Sequence, residues 1–400
     1  MRVYILLLLF AVGGTIVLTP IVRRFALTFN VLTPLRERDI HAVPTPRLGG
    51  IALTVAFAGA VLLGSRIPYL QAVYATPTIW AVVAGAGAMC LLGVIDDIWE
   101  LDWMAKLGGQ LLICGVMAVN GVQLVSFPVF GVTIGSSRLS IIVTVLVMVV
   151  TINAVNFIDG LDGLAAGVVA IGAGSFFSYS YLLTRLTNAP SYATVAAVLM
   201  ITLFGVCLGF LWLNFHPASI FMGDSGAMVL GLVMSSAGII VTGQIDPLVL
   251  DGRGALASLL PLLLPVVVLA VPLVNLVMTA MVRVFQGKSP FEADRTHLHD
   301  RLLDSGLSHR GVVVDLYLWT ALACGLGVGL LLYSTPVIVG VGALLAALLV
   351  LVTYYVLPRW SFTEERTVSD DGIEIISRTQ VGWRKHIRQV MKPDPTPEED

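Results

Sequence analysis

Apolar runs of about bilayer length recur eleven times along this chain of 400 residues, and that recurrence limits the fold before any motif is read. A helix needs about 20 mostly apolar residues to cross the ~30 Å hydrocarbon core. Runs meeting that need lie near 3–20, 48–64, 78–95, 107–124, 139–156, 163–183, 193–212, 225–243, 257–282, 313–333 and 337–357. With 57% hydrophobic and 12% charged residues, the composition excludes an ordinary water-soluble domain. The expected fold is therefore an all-α polytopic membrane protein with about eleven transmembrane helices. Residues 1–357 form the membrane domain and 358–400 a polar tail. The first run, "VYILLLLFAVGGTIVL", reads as a retained span. It has no small-x-small cleavage site, and its Arg pair follows it rather than preceding it. Cys90, Cys114, Cys207 and Cys324 each fall inside an apolar run, without metal-ligand or disulfide spacing, and read as core packing.

Eleven spans place the two termini on opposite sides. With the N-terminus outside, 18 of the 23 Lys and Arg residues fall on the inner side, which the positive-inside rule favours. The same face takes 22 of the 25 Asp and Glu residues. The expected location is thus the inner cell membrane, with a cytoplasmic C-terminus and the chemistry on cytoplasmic loops. In the tail, "GIEIIS" suggests a short strand, and "GWRKHIRQVMK" an amphipathic helix lying on the anionic leaflet. Nothing in this charge pattern predicts a nucleic-acid partner.

Four stretches at span ends carry the candidate chemistry. In "CLLGVIDDIWELD" an apolar segment ends in Asp96 and Asp97, followed by Glu100 and Asp102. Acids often cluster at a solvated helix end, but adjacent carboxylates raise one another's pKa unless a cation such as Lys106 holds them. In "NAVNFIDGLDGLAAG", Asn153, Asn156, Asp159 and Asp162 are spaced by three, which on a helix sets four oxygen-bearing groups on one face. Capping at a turn is the ordinary explanation. An oxygen-rich set also suits a hard cation such as Mg²⁺, with Mn²⁺ the alternative. In "LNFHPASIFMGDSGAMVLG", Asp224 sits where a helix N-cap would, Phe221 offers a flat face for a base, and Asn214 paired donor and acceptor atoms. In "QGKSPFEADRTHLHDRLLDSGLSHR", His297 and His299 converge only if the backbone there is extended. With Lys288, Arg295 and Arg301 they read as a cationic lid for a phosphate-bearing ligand rather than a zinc site. Arg36, Arg38, His41 and Arg47 lie on the same face.

Taken together, "DDIWELD", "NAVNFIDGLDG", "NFHPASIFMGDSG" and "SPFEADRTHLHDRLL" resemble the polyprenyl-phosphate N-acetylhexosamine-1-phosphate transferase family. The resemblance covers about residues 1–357 and is strongest to the UDP-N-acetylglucosamine branch, in particular its actinobacterial decaprenyl-phosphate members. It implies transfer of a sugar-1-phosphate from a UDP-sugar to a polyprenyl phosphate (decaprenyl or undecaprenyl), with release of UMP, and a homodimer. It also implies catalytic roles for Asp96 and Asp97, Mg²⁺ ligation by Asn156 and Asp224, and phosphate binding by Lys106. Asp159 and Asp162 would lie on the nucleotide side, Asn214 and Phe221 at the uracil, and Arg295, His297 and His299 in the closing loop. Asp300 departs from the family, which commonly carries His there. Attack by the lipid phosphate and a covalent aspartyl-phosphate route both fit this residue set. Two rival readings are a phospho-N-acetylmuramoyl-pentapeptide transferase, which typically has three consecutive His in the loop and no long tail, and a cation-coupled transporter, which places ionisable groups at mid-bilayer.

Overall fold

A computed structural model of the chain describes residues 1–29, 45–124, 137–187, 192–244, 266–285, 297–353, 362–368 and 374–380. Each of the eleven apolar runs carries a helix: α1 (Arg2–Thr28), α2 (Gly49–Gly64), α4 (Pro77–Trp99), α5 (Trp103–Val119, stopping short of the run's end at 124), α6 (Ser137–Ile158), α7 (Leu164–Thr187), α8 (Tyr192–Asn214), α9 (Gly223–Gln244), α10 (Ala270–Phe285), α12 (His309–Leu332) and α13 (Thr335–Leu351). Two short helices, α3 (Gln71–Tyr74) and α11 (Leu298–Asp304), lie between them. In the tail, β1 (Phe362–Val368) and β2 (Glu374–Gln380) pair antiparallel, with Phe362 opposite Gln380. The "GIEIIS" stretch overlaps β2, whereas the expected amphipathic helix lies outside the described residues.

Apart from that strand pair in the tail, the described residues form an all-α, polytopic membrane protein. Among the described residues, seven helices are long and apolar enough to cross a bilayer, and α2 with the segment Pro68–Tyr74, bent 96° from it, makes an eighth if the pair is one span. Helices α5, α10 and α13, of 17, 16 and 17 residues, reach only about 24–26 Å at 1.5 Å per residue. Their length alone does not carry them through a ~30 Å core.

Where the apolar side chains point follows from the solvent. Leu9, Val17, Leu112, Val116 and Leu344 face outward, as lipid contact requires. The centre is α9, buried throughout its apolar length and packed against α2, α4, α6 and α8. Hydroxyls within the bundle bond to their own helix: Thr15 donates to the Ala11 carbonyl at 2.8 Å and Thr202 to Val198 at 2.7 Å, which removes the cost of an unsatisfied polar group. All four cysteines are buried free thiols, as expected.

Aromatic side chains mark the ends of the bundle. Exposed Trp80 begins α4 and exposed Trp99 ends it. Their separation of 19 residues corresponds to about 28 Å along the helix, close to the hydrocarbon thickness. Exposed Trp103 and Trp212 lie at the Trp99 end.

The α1–α8 contact depends on a missing side chain. A Cβ on Gly209 would stand 2.6 Å from the Val12 carbonyl oxygen and 2.9 Å from Thr15 Cβ, whereas one on Gly87 meets nothing within 4 Å. Gly209→Ala should therefore destabilise the detergent-purified protein by about 1–3 kcal/mol. Gly87→Ala should not, and a thermal melt of the two variants side by side checks this.

Candidate active site

The last turn of α4 brings Asp96 and Asp97 to the Trp99 end of the bundle. The helix stops at Glu100, whose φ of 47° is left-handed, and Asp96 Oδ1 takes the Leu101 amide at 2.9 Å. Asp102 caps α5 by accepting from the Met104 amide at 3.0 Å, so the four acids of this stretch divide into site and scaffold.

Asp97 faces the start of α9. Its Oδ1 accepts from the Asp224 amide at 2.9 Å and its Oδ2 from the Ser225 amide at 3.1 Å. A helix N-terminus has backbone N–H groups with no partner inside the helix, and here a carboxylate from another helix supplies one. The approach is close because Gly93, one turn earlier on α4, has no Cβ to strike the Ser225 backbone. Lys106, in the first turns of α5, donates to Asp96 Oδ2 at 2.8 Å and also pairs with Asp224 Oδ2. Asn156 Nδ2 donates to Asp224 Oδ1 at 2.9 Å. Direct bonds thus join Asp96, Asp97, Lys106, Asn156 and Asp224 into one cluster drawn from four helices.

The expected Asn/Asp stripe is not one helical face. Helix α6 ends at Ile158, and the chain turns through Gly160 and Gly163, the latter at φ 76°. Asn153 stays on α6 and pairs with Gln110 Oε1 at 2.8 Å, away from the acids. Asp159, in the turn, is pushed up to about 7 by burial and by the Asp224 and Asp97 carboxylates, with Arg47 acting the other way.

Asp162 turns to a second knot. Its Oδ2 meets His216 Nδ1 at 2.8 Å and takes the Ala218 amide at 3.1 Å. Asn214 accepts from the Gly163 amide at 3.1 Å and donates to the Ile220 carbonyl at 3.0 Å. Its buried amide bonds backbone at both ends and braces the loop that carries Phe221. Half-buried Phe221 is fixed by its own backbone, between the Pro46 carbonyl at 2.8 Å and the Gly49 amide at 3.0 Å. Arg310 donates to the His216 carbonyl at 3.0 Å, and the His309 ring stacks on His216 at 4.3 Å. Asp162, His216 and His309 bring ligand atoms within 4.8 Å of one another. With the two imidazoles 22° from parallel, however, their in-plane lone pairs run side by side rather than converging on an ion.

His297 is the N-cap of α11 with extended backbone (ψ 157°), which lets it meet His299 two residues on. The rings stack at 5.3 Å and 4°. His297 lies edge-on to Phe157, the neighbour of Asn156, at 5.4 Å. His299 is buried against Gly160, where a Cβ would overlap its ring, so it wedges the loop in place instead of facing open solvent. Arg295, Lys288, Arg36, Arg38 and His41 lie outside the described residues. Sequence reasoning missed Asn275, Thr279 and Arg283. All three are buried on α10, and their spacing of four within an apolar run is the signal that could have found them.

Residues 79–242, which span α4 to α9 and include the whole carboxylate cluster, match glycosyl transferase family 4. Over 307 residues, 75% of this chain and 75% of the relative, the sequence is 38% identical to a decaprenyl-phosphate N-acetylglucosaminephosphotransferase of Mycolicibacterium smegmatis. The chain belongs to glycosyl transferase family 4. A second member, a probable undecaprenyl-phosphate N-acetylglucosaminyl 1-phosphate transferase of Bacillus subtilis, is 32% identical over 76% of this chain and 78% of its own length. A phospho-N-acetylmuramoyl-pentapeptide-transferase of Desulforudis audaxviator is 28% identical over 59% and 74%. The His297–His299 loop lies beyond the segment that defines the family, so its role rests on geometry.

Burial lowers the His299 pKa from its ordinary 6.5 to about 4. The stability contributed by neutral His299 is therefore complete above about pH 6.5 and is lost as pH falls toward 4, a change on the order of 3 kcal/mol. Asp159, pushed up to about 7, contributes in the opposite sense over the same range, so the His299 effect is read as a difference: in paired thermal melts the advantage of wild type over His299→Gln should shrink as pH falls from 6.5 toward 4.

Proposed function

We propose that this protein transfers N-acetylglucosamine-1-phosphate from UDP-N-acetylglucosamine to a polyprenyl phosphate and releases UMP, at the cytoplasmic face of the inner cell membrane. The observation that carries this reading is the bonded cluster of Asp96, Asp97, Lys106, Asn156 and Asp224 at one end of a membrane bundle. Relatives named for that reaction support the choice of donor and acceptor. On this reading the N-terminus lies outside, residues 1–357 form the catalytic domain and 358–400 a cytoplasmic tail, and two copies form a homodimer.

The donor set suits a hard divalent ion. Asp96 and Asp224 share one ammonium, that of Lys106, with Asp97 on the α9 amides, Asp159 near Asp224 and Asp97, and amide oxygen on Asn156. This leaves an excess of negative charge and only oxygen ligands for Mg²⁺, or Mn²⁺ in its place. Asp224 and Asn156 would hold the ion. When bound, it offsets the charge of the donor diphosphate as a second phosphate approaches.

The remaining work falls to the chain. Lys106 draws phosphate oxygens toward the carboxylates, and Asp96, beside it, takes the proton of the acceptor phosphate. The freed phosphate oxygen then bonds to the sugar-bearing phosphorus of the donor. The bond from that phosphorus to the UMP oxygen breaks, and UMP leaves with the electron pair. Asp97, with both oxygens on α9 amides, keeps Asp224 in register. Phe221 stacks the uracil on a loop held by Asp162 and Asn214, and His297 closes on the sugar diphosphate.

Purified protein in Mg²⁺ buffer, given radiolabelled UDP-N-acetylglucosamine and decaprenyl phosphate, should yield lipid-extractable label and UMP. Folded Asp224→Asn should lose about 10³-fold in rate. Label from UDP-N-acetylmuramoyl-pentapeptide alone would move the enzyme to the rival branch. Solute uptake into vesicles without lipid labelling would make it a transporter.

A further inference from the structure

Helix α10 carries three polar side chains at steps of four: Asn275 and Thr279, fully buried, and Arg283, 2% exposed. Polar groups inside a membrane bundle are costly unless bonded, so where their bonds go shows what they do. Asn275 uses both ends of its amide. Nδ2 donates to the Phe157 carbonyl at 3.0 Å, and Oδ1 accepts from the Leu298 amide at 2.8 Å. Phe157 follows Asn156, which holds Asp224, and Leu298 follows His297. One side chain therefore ties the carboxylate cluster to the histidine loop. Arg283 lies over the face of the same Phe157 ring at 5.7 Å.

This arrangement also changes what His297 does at its own helix start. An N-cap side chain commonly bonds the first backbone N–H groups, but His297 makes no such cap bond, and the first amide of α11 goes to Asn275 instead. The imidazole turns to Thr279, whose Oγ1 lies 3.3 Å from Nδ1. Other threonines of the bundle (Thr15, Thr19, Thr54, Thr202 and Thr320) donate to the carbonyl four residues back. Thr279 Oγ1 has a ring nitrogen as its partner instead.

We infer that Asn275 and Thr279 are positioning residues for His297: Asn275 docks the loop on the end of α6, and the Thr279 hydroxyl, donating to Nδ1, holds His297 with its proton on Nε2. A neutral imidazole in that tautomer is a hydrogen-bond donor for a phosphate or sugar oxygen of the nucleotide-sugar. This rests on the reading that His297 faces the donor substrate.

The test uses the full chain in detergent with Mg²⁺. Thr279→Val, nearly isosteric, should lower kcat/KM for UDP-N-acetylglucosamine about tenfold. Thr279→Ser, which keeps the hydroxyl, should recover to within about twofold of wild type. In a His297→Ala background, Thr279→Val should cost nothing more, because both act through one ring. Independently of activity, Asn275→Ala should speed hydrogen–deuterium exchange of the amides at 297–304, while Thr279→Val leaves them protected. Wild-type kinetics in Thr279→Val, a loss fully additive with His297→Ala, or unchanged exchange in Asn275→Ala would overturn the inference. Should Asn275→Ala fail to fold, Thr279→Val and Thr279→Ser decide alone. Full transfer by His297→Ala would instead remove the role of His297 in the reaction, and the exchange measurement would still report whether α10 docks the loop.

Discussion

A helix buried along its length must have its first N–H groups satisfied from elsewhere, and the structure depends on how α9 meets that demand. Here the acceptor is a side chain from a neighbouring helix. Asp97 supplies both oxygens, and Gly93 allows α4 close enough for it to do so. The same contact sets Asp224 at the mouth of the helix, within reach of Asn156 and Lys106. A carboxylate at a helix start is stabilised by the positive end of the peptide dipoles, and an approaching phosphate meets the same field. Folding the centre of the bundle and assembling the site are thus one event.

Around that centre the protein builds two separate supports. One is the carboxylate cluster, fixed by α4, α5, α6 and α9. The other is the 214–222 loop, fixed by Asn214, Asp162, His216 and Arg310. Between them runs the turn 159–163, whose glycines serve the histidine loop and the 214–222 loop: Gly160 admits His299, and Gly163 gives its amide to Asn214. A ligand with a diphosphate at one end and a flat ring at the other would be gripped by both supports, with the turn setting their spacing.

Much of this was legible in the sequence because ionised groups beside lipid are conspicuous. Asp96, Asp97, Asn156 and Asp224 interrupt apolar runs, and the charge bias places them on one face. The helices followed from length and apolarity alone. Less legible was how polar side chains spend their bonds. Asp97, Asp162 and Asn214 bond to backbone amides or carbonyls from distant segments, which no spacing reveals. The stripe 153–162 read as continuous because a three-residue period says nothing of Gly163 adopting a positive φ. Asn275, Thr279 and Arg283 were overlooked because each is a single polar residue in a greasy turn, and only their common period of four distinguishes them.

The tryptophans that bracket α4 have a consequence for traffic. Indole rings settle at the headgroup level, so Trp99 fixes how deep the helix sits. Asp96 and Asp97 lie less than one turn above it, level with where a prenyl lipid carries its phosphate. On the proposed function the lipid acceptor needs no extraction from its leaflet: it enters sideways with its tail still among the acyl chains, and the nucleotide-sugar enters from the water. Two substrates of opposite solubility would then use separate doors, and neither would have to leave its own solvent to meet the other.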